Sequence, residues 1–368
     1  MKTLIRSSSF EPLSHGHGGN RRSLQVIELL SAAKIFAKPI QDIYTFSPPL
    51  FRLLEYLKGF PASFSQSGFY GWSSVNNWAL NRNLVQLFNI CDVKTHPLPY
   101  LWESTGDSAQ LKLIPEPVPI IALPHNIECF AGSIPPYQQR QQILTNLASE
   151  ISCLQRASEI FAISTYDQWL LDNLGLPSQL LPYWPPSLIE DWCLGIAARR
   201  AQAQSVVNPR LPLILGTTNN PPTWQGISNL TKVLSSHLNS NTSFKANIAG
   251  YGTERLVGEV NPVHFNIYGS ISNQELTDLL VDCHSVIVYQ DYGSGSLTKI
   301  PELLLSGVPI LSNFTAARGY VGCQGIHIYN SVSELVALIG SDLDHVFSPP
   351  QRSRWHEQAF VSCIESYL

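Results

Sequence analysis

Residues 289–313 read YQDYGSGSLTKIPELLLSGVPILSN. An apolar strand, Ser285 to Tyr289, runs into a Gly/Ser loop, Asp291 to Ser296, which opens a short helix carrying Lys299 and Glu302. Gly307 and Pro309 stop that helix, and a second buried strand, Ile310 to Leu311, follows. Strand, glycine loop, helix and strand make one βαβ unit. Such a unit brings free backbone N–H groups, a lysine and a carboxylate to one strand edge, where open α/β sheets bind ligands.

The same alternation extends outward from this stretch. Upstream in the C-terminal half, strands are expected at Leu211–Leu215, Phe244–Ala249 and Val263–Tyr268, ending in Gly216, in Gly250-Tyr251-Gly252 and in Gly269. Helices Trp224–Leu238 and Asn273–Val281 lie between them, the second capped by Ser272 or Asn273. Downstream come a strand, Ile326–Tyr329, a helix, Ser331–Ile339, and a last helix within 349–368.

Before the proline cluster Pro182-Tyr183-Trp184-Pro185-Pro186, read as a hinge, a second series runs. PIIAL, 119–123, is a buried parallel strand ending in Pro124-His125-Asn126-Ile127-Glu128. Polar residues at the carboxyl end of a central strand favour a functional reading of His125 and Glu128. A helix, Tyr137–Ser158, and a strand, Ile160–Ile163, follow; Ser164 then caps a helix that Gly175 closes. A short strand, Leu180–Leu181, precedes the hinge, and a helix, Ser187–Gln204, follows it.

At the N-terminus a short strand, Thr3–Arg6, leads to His15-Gly16-His17-Gly18-Gly19 and a helix from Asn20, capped by Asn20 or Ser23. This loop is either an anion site or an ordinary βα turn. Further expectations are a second strand at Ile43–Phe46, helices near Phe51–Lys58 and Val75–Phe88, and a proline-rich surface loop over Leu111–Pro119. The whole predicts an α/β protein with two doubly wound, parallel-sheet, Rossmann-like domains facing a cleft. Residues 1–185 form the first and 186–349 the second, with a C-terminal helix, 350–368, packing back on the first.

Bulk properties agree with two such domains in 368 residues. Apolar residues make up 44% and charged residues 14%, enough for large cores and against disorder. A net charge of −4 with no basic block argues against a nucleic-acid partner. Seven scattered cysteines, never spaced C-x-x-C, suit a reducing compartment. The start MKTLIRSSSF is too short an apolar run for a signal peptide, and no stretch approaches a membrane span, so a cytoplasmic protein is expected. The aromatic-rich Phe60–Trp78 is read as core in preference to a peripheral membrane contact.

From Pro124 onward, about two-thirds of the chain resembles the GT-B glycosyltransferases, in particular the large retaining group called family 4. ASEIFAISTYDQWLLDNLG (157–175) with LLPYWPP looks like the last strand, helix and linker of that family's first domain. ANIAGYG (246–252) and NIYGSISNQELTDLLVDCHSVIV (266–288) look like its second domain, and SLTKIPELLLSGVPIL (296–311) carries its donor-site pattern T-K-x-x-E-x-x-x-x-G-x-P.

The resemblance implies a metal-independent glycosyltransferase with no permanently bound cofactor. Its substrates would be a UDP- or GDP-sugar donor and a glycan, lipid or small-molecule acceptor. Glu302 would accept the ribose hydroxyls. Ser294, Gly295, Ser296, Leu297 and Thr298 would offer N–H groups to the diphosphate, with Lys299 adding charge. Gly216, Gly250, Tyr251 and Gly252 would line the donor site. Gly18 and Gly19 would approach the phosphates or sugar from the other domain, and His125 would contact the sugar, with Glu128 beside it.

The loop after the first strand of the second domain, GTTNNPPTWQG, lacks the Arg and Lys that the family commonly carries there, and Ser294 stands near the place where the family commonly has an acidic residue, some two helical turns before Glu302. The missing charge would fall to Lys299, Arg255, Arg318, Arg21 or Arg22. Failing that, the protein would be a degenerate binding or partner subunit; a sugar-nucleotide epimerase on the same fold is a further alternative.

Overall fold

The computed structural model describes residues 2–40, 98–104, 108–114, 116–131, 140–203, 210–217, 221–238, 244–341, 343 and 347–368. The expected strand at 43–46, the helices at 51–58 and 75–88 and the aromatic stretch 60–78 lie outside these residues.

Twelve described strands form two six-stranded parallel sheets. The first comprises β1 (Lys2–Ser8), β2 (Ile35–Pro39), β3 (Tyr100–Ser104), β4 (Ile120–Pro124), β5 (Glu159–Ala162) and β6 (Gln179–Leu180), in the order β2-β1-β3-β4-β5-β6. The second comprises β7 (Leu213–Leu215), β8 (Ala246–Ala249), β9 (Phe265–Gly269), β10 (Val286–Val288), β11 (Ile310–Ser312) and β12 (Ile326–Ile328), in the order β12-β11-β10-β7-β8-β9. Each sheet therefore reverses its winding once, between β1 and β3 in the first and between β7 and β10 in the second. A crevice opens outside the carboxyl ends of the strands at such a reversal.

Apolar cores cover both faces of each sheet, as parallel strands require. One face of the first sheet packs Ile5, Trp102, Ile120 and Leu171, and the other packs Leu4, Val26, Ile121 and Phe161. The C-terminal helix, Arg354–Ser366, completes that second face: Phe360 and Ile364 are buried there, the Phe360 ring 5.1 Å from and edge-on to Phe161. Ile214, Leu234, Ile248 and Ile287 build one core of the second sheet, and Leu213, Val286, Leu304 and Ile310 the other.

Several local readings change. The described residues of 111–119 are not simply a surface loop. A 3-10 helix spans Ser108–Leu113, and Leu111, Ile114 and Val118 fill the first core while Lys112, Glu116 and Pro117 stay exposed, because a proline-rich segment still buries the apolar residues beside its prolines. Helix α1 (Gly18–Ala32) begins before Asn20, and its cap is His17. The His17 side chain accepts from the backbone of α1 while the Asn20 side chain returns a bond to the His17 N–H (3.2 Å), a reciprocal box. Ser164 and Ser272 cap their helices as expected, with Glu275 closing the box on Ser272.

Candidate functional site

A cavity of about 210 Å³ opens at the reversal of the second sheet. The end of β7 contributes Leu215, Gly216 and Thr217, the turn after β8 contributes Gly250 and Tyr251, and helix α2 (Lys299–Leu305) contributes Lys299 and Glu302. Arg21 reaches in from α1 on the opposite sheet. Five expected donor-site residues, Gly216, Gly250, Tyr251, Lys299 and Glu302, thus line one cavity.

Glu302 is buried, and both its oxygens are engaged. The Tyr183 hydroxyl donates to Oε1 at 2.6 Å, and Arg21 Nη1 pairs with Oε2. Burial pushes the carboxyl above its ordinary range, and the Arg21 charge and the Tyr183 bond oppose that shift. Lys299 Nζ donates to the Leu215 carbonyl at 2.9 Å, and desolvation brings its ammonium down to about 8.

The loop before α2 lies against the first sheet's loops. Ser294 Oγ donates to the Ile127 carbonyl at 2.9 Å, and the Gly295 N–H donates to Asp167 Oδ1 at 3.3 Å. Ser296 Oγ donates to Tyr320 at 2.9 Å. Thr298 faces Gly18 so closely that a Cβ on Gly18 would stand 2.3 Å from Thr298 Oγ1. The two glycine loops expected to share a ligand therefore meet across the cleft, and Gly19 lies against the Phe10 ring. Gly252, in the left-handed region at φ 80°, caps the 3-10 helix Thr253–Leu256 beside Tyr251.

At the reversal of the first sheet a buried polar cluster sits at the carboxyl ends of β1, β3 and β4. Glu103 accepts from Arg6 Nε at 3.0 Å and Nη2 at 2.5 Å, and its other oxygen lies 3.2 Å from His125 Nε2. A carboxylate only accepts, so Nε2 donates and the His125 tautomer is set. Phe10 stacks on the His125 ring at 5.2 Å. Burial alone would raise the Glu103 carboxyl, but the Arg6 charge and the His125 bond outweigh it and hold the carboxyl down at about 2. Glu128 does not join this cluster; Asn126 Nδ2 donates to it at 3.4 Å, and Glu150 accepts from its N–H at 2.8 Å.

Sequence reading missed Glu103, Tyr183 and Asp167. Glu103 had a usable signal, being an acid at the carboxyl end of the apolar YLWES run. Tyr183 stood among hinge prolines, and nothing local marks it as a partner of Glu302. Among the described residues no group of three or more His, Cys, Asp or Glu could hold a metal ion, and no described helix is long and apolar enough to cross a membrane.

No protein-family model matches the chain, and no curated protein sequence matches it. Solved structures do. HepE of Anabaena, solved with UDP, superposes at a TM-score of 0.56 with 14% identity, covering 100% of this chain and 97% of that one. The α,α-trehalose 6-phosphate synthase of Burkholderia multivorans gives 0.58 with 9% identity over 100% and 96%. The UDP-GlcNAc 2-epimerase of Methanocaldococcus jannaschii gives 0.52 with 11% identity over 100% of both. The fold is thus of the GT-B type, two Rossmann-like domains around a cleft, and identities this low establish the fold alone.

Proposed function

We propose that this protein is a metal-independent glycosyltransferase that takes a UDP- or GDP-sugar into the cavity of the second sheet, in the manner of the retaining family 4. The observation that carries this reading is the convergence of Glu302, Lys299, Gly216, Gly250 and Tyr251 on one cavity at a sheet reversal. Each Glu302 oxygen spends one lone pair on Arg21 or Tyr183 and keeps a second, so the carboxylate can still accept from both hydroxyls of a ribose. UDP and a nucleotide sugar are the ligands named for HepE and for the epimerase of like fold.

In the reaction, the acceptor oxygen bonds the anomeric carbon as the bond from that carbon to the diphosphate breaks. The diphosphate leaves with the electron pair, and the acceptor proton passes to it. Positive charge and N–H dipoles favour this departure. His125, with its tautomer set by Glu103, faces the sugar. The 210 Å³ cavity is below the roughly 300 Å³ at which ligand pockets begin, so a donor enters only as the residues lining it move apart.

UDP, GDP and their sugars are expected to raise the melting temperature of the protein. No shift with any of them would overturn the reading. Glu302→Ala should weaken the binding nucleotide by about 1–3 kcal/mol, measured by titration calorimetry; unchanged affinity would remove Glu302 from the site. Affinity should also fall as pH rises through about 8, because the Lys299 ammonium loses its charge there. A flat profile from pH 7 to 9.5 would remove Lys299.

One observation favours a second reading, a nucleotide-sugar-binding partner subunit: the loop after β7 carries no basic residue. Nucleotide binding without donor turnover, in the presence of a panel of acceptors, would select it.

A further inference from the structure

Five basic side chains could supply charge to a diphosphate, and the structure separates them. Arg318 is spent on its own loop, donating to the carbonyls of Gly295 (3.0 Å), Ser294 (2.8 Å) and Thr315 and to Gln290 (3.0 Å). Arg22 is buried and joins α1 to the hinge, donating to Leu181 O at 2.7 Å and Pro182 O at 3.2 Å. Arg255 lies exposed on its 3-10 helix and does not line the cavity. Lys299 lines it and keeps two of its three N–H donors after the bond to Leu215. Of the four guanidiniums only Arg21 lines it.

Arg21 lines the same cavity, and its guanidinium is incompletely satisfied. Nη1 pairs with Glu302, while Nε is buried with no hydrogen-bond partner. A buried N–H left without an acceptor is costly, and native structures retain one chiefly where a ligand, ion or water supplies it. A guanidinium offers two donors in a plane that matches phosphate oxygens. Glu302 needs a cation while the site is empty, since it is buried and Arg21 is its ion-pair partner.

A donor brings neutral hydroxyls to Glu302 and negative charge to the phosphates. The anion can therefore take over part of the Arg21 guanidinium, while the ribose satisfies Glu302. We infer that Arg21, supplied across the cleft by the first sheet's α1, is the diphosphate-binding guanidinium of this protein, acting beside Lys299 and held ready by Glu302 until a nucleotide diphosphate arrives. The inference rests on the donor-site reading proposed above and replaces the absent Arg of the β7 loop with one from the other domain.

The test is titration of full-length protein with UDP and GDP, and with the nucleoside of whichever binds. Arg21→Ala should weaken the nucleoside diphosphate about 10- to 100-fold more than it weakens the nucleoside, whose ribose meets Glu302 but which brings no phosphate to Arg21. Arg21→Lys, which keeps the charge but not the fork, should fall between the two. The affinity of wild type should decline with added salt more steeply than that of Arg21→Ala. If Arg21→Ala does not fold, Arg21→Gln makes the same comparison, keeping a donor for Glu302 without the charge.

Equal loss for nucleoside and diphosphate, or no loss for either, would overturn the inference and leave the donor-site reading standing. Wild-type protein that binds no nucleotide would overturn both.

Discussion

Glu103→Ala is expected to lower the free energy of unfolding by about 3–5 kcal/mol, the loss that follows when one member of a buried ion pair is removed. Glu103 is fully buried at the end of β3, and Arg6, on the neighbouring strand, is 5% exposed. Alanine would leave the Arg6 guanidinium with Ser23 as its remaining partner in the cluster, and would free the His125 ring. Urea denaturation measures the loss, and a value below about 1 kcal/mol would mean that Arg6 is compensated by other means.

The acid limb gives an independent check on the same pair. The folded carboxyl is held at about 2, below the unfolded value of about 4.3, so its contribution is complete above the unfolded value. It is lost as pH falls through the folded value. The gap in stability between wild type and Glu103→Ala should therefore be level above pH 5 and narrow toward about pH 2. Replacing both partners with apolar residues of similar volume, Arg6→Met with Glu103→Leu, should recover most of the stability. It should not recover the transfer activity proposed above, because His125 loses its orienting partner.

Gly250→Ala should be comparably severe, at about 3–5 kcal/mol, for a backbone reason. Gly250 lies at φ 128°, and a Cβ there would stand 1.8 Å from the Gly216 carbonyl oxygen. That oxygen belongs to the main chain leaving β7, so no rotamer change relieves the clash. Gly250 N–H bonds Gly269 O at 2.8 Å and Gly216 N–H bonds Ala249 O at 3.2 Å, which fixes both turns. Gly175→Ala is the control. Gly175 is also left-handed, at φ 77°, but nothing lies within 4 Å of its added Cβ, so only the conformational penalty of about 1–2 kcal/mol applies. Thermal unfolding of the two variants separates strain from collision; equal losses would mean that the Gly216 turn yields freely. On the donor-site reading proposed above, Gly250→Ala should also abolish nucleotide binding, since Gly250 and Gly216 both line the cavity.

How much of this was legible differs by element. The βαβ unit around 289–313 was readable because its signals are local: an apolar run, glycines that permit a tight turn, a short helical stretch and a Gly–Pro stop. The alternation on either side of residues 182–186 extended it to two doubly wound sheets. Strand β3 was missed, and Glu103 with it, because YLWES sits beyond residues whose pattern offers no clear period. The segment 111–119 was misread because prolines signal a turn whether or not the intervening side chains are buried.

The sequence by itself determined the fold class and five of the residues that line one cavity, because periodicity and turn chemistry are properties of neighbouring residues. Only the tertiary structure decided which charges meet. Arg21 and Glu302 are 281 residues apart, Tyr183 and Glu302 are 119 apart, and Arg6 and Glu103 are 97 apart. No local pattern ranks Arg21 above Arg22 or Arg318. Their difference arises when the two sheets close on a cleft, where two guanidiniums bond main-chain carbonyls and the third faces a buried carboxylate.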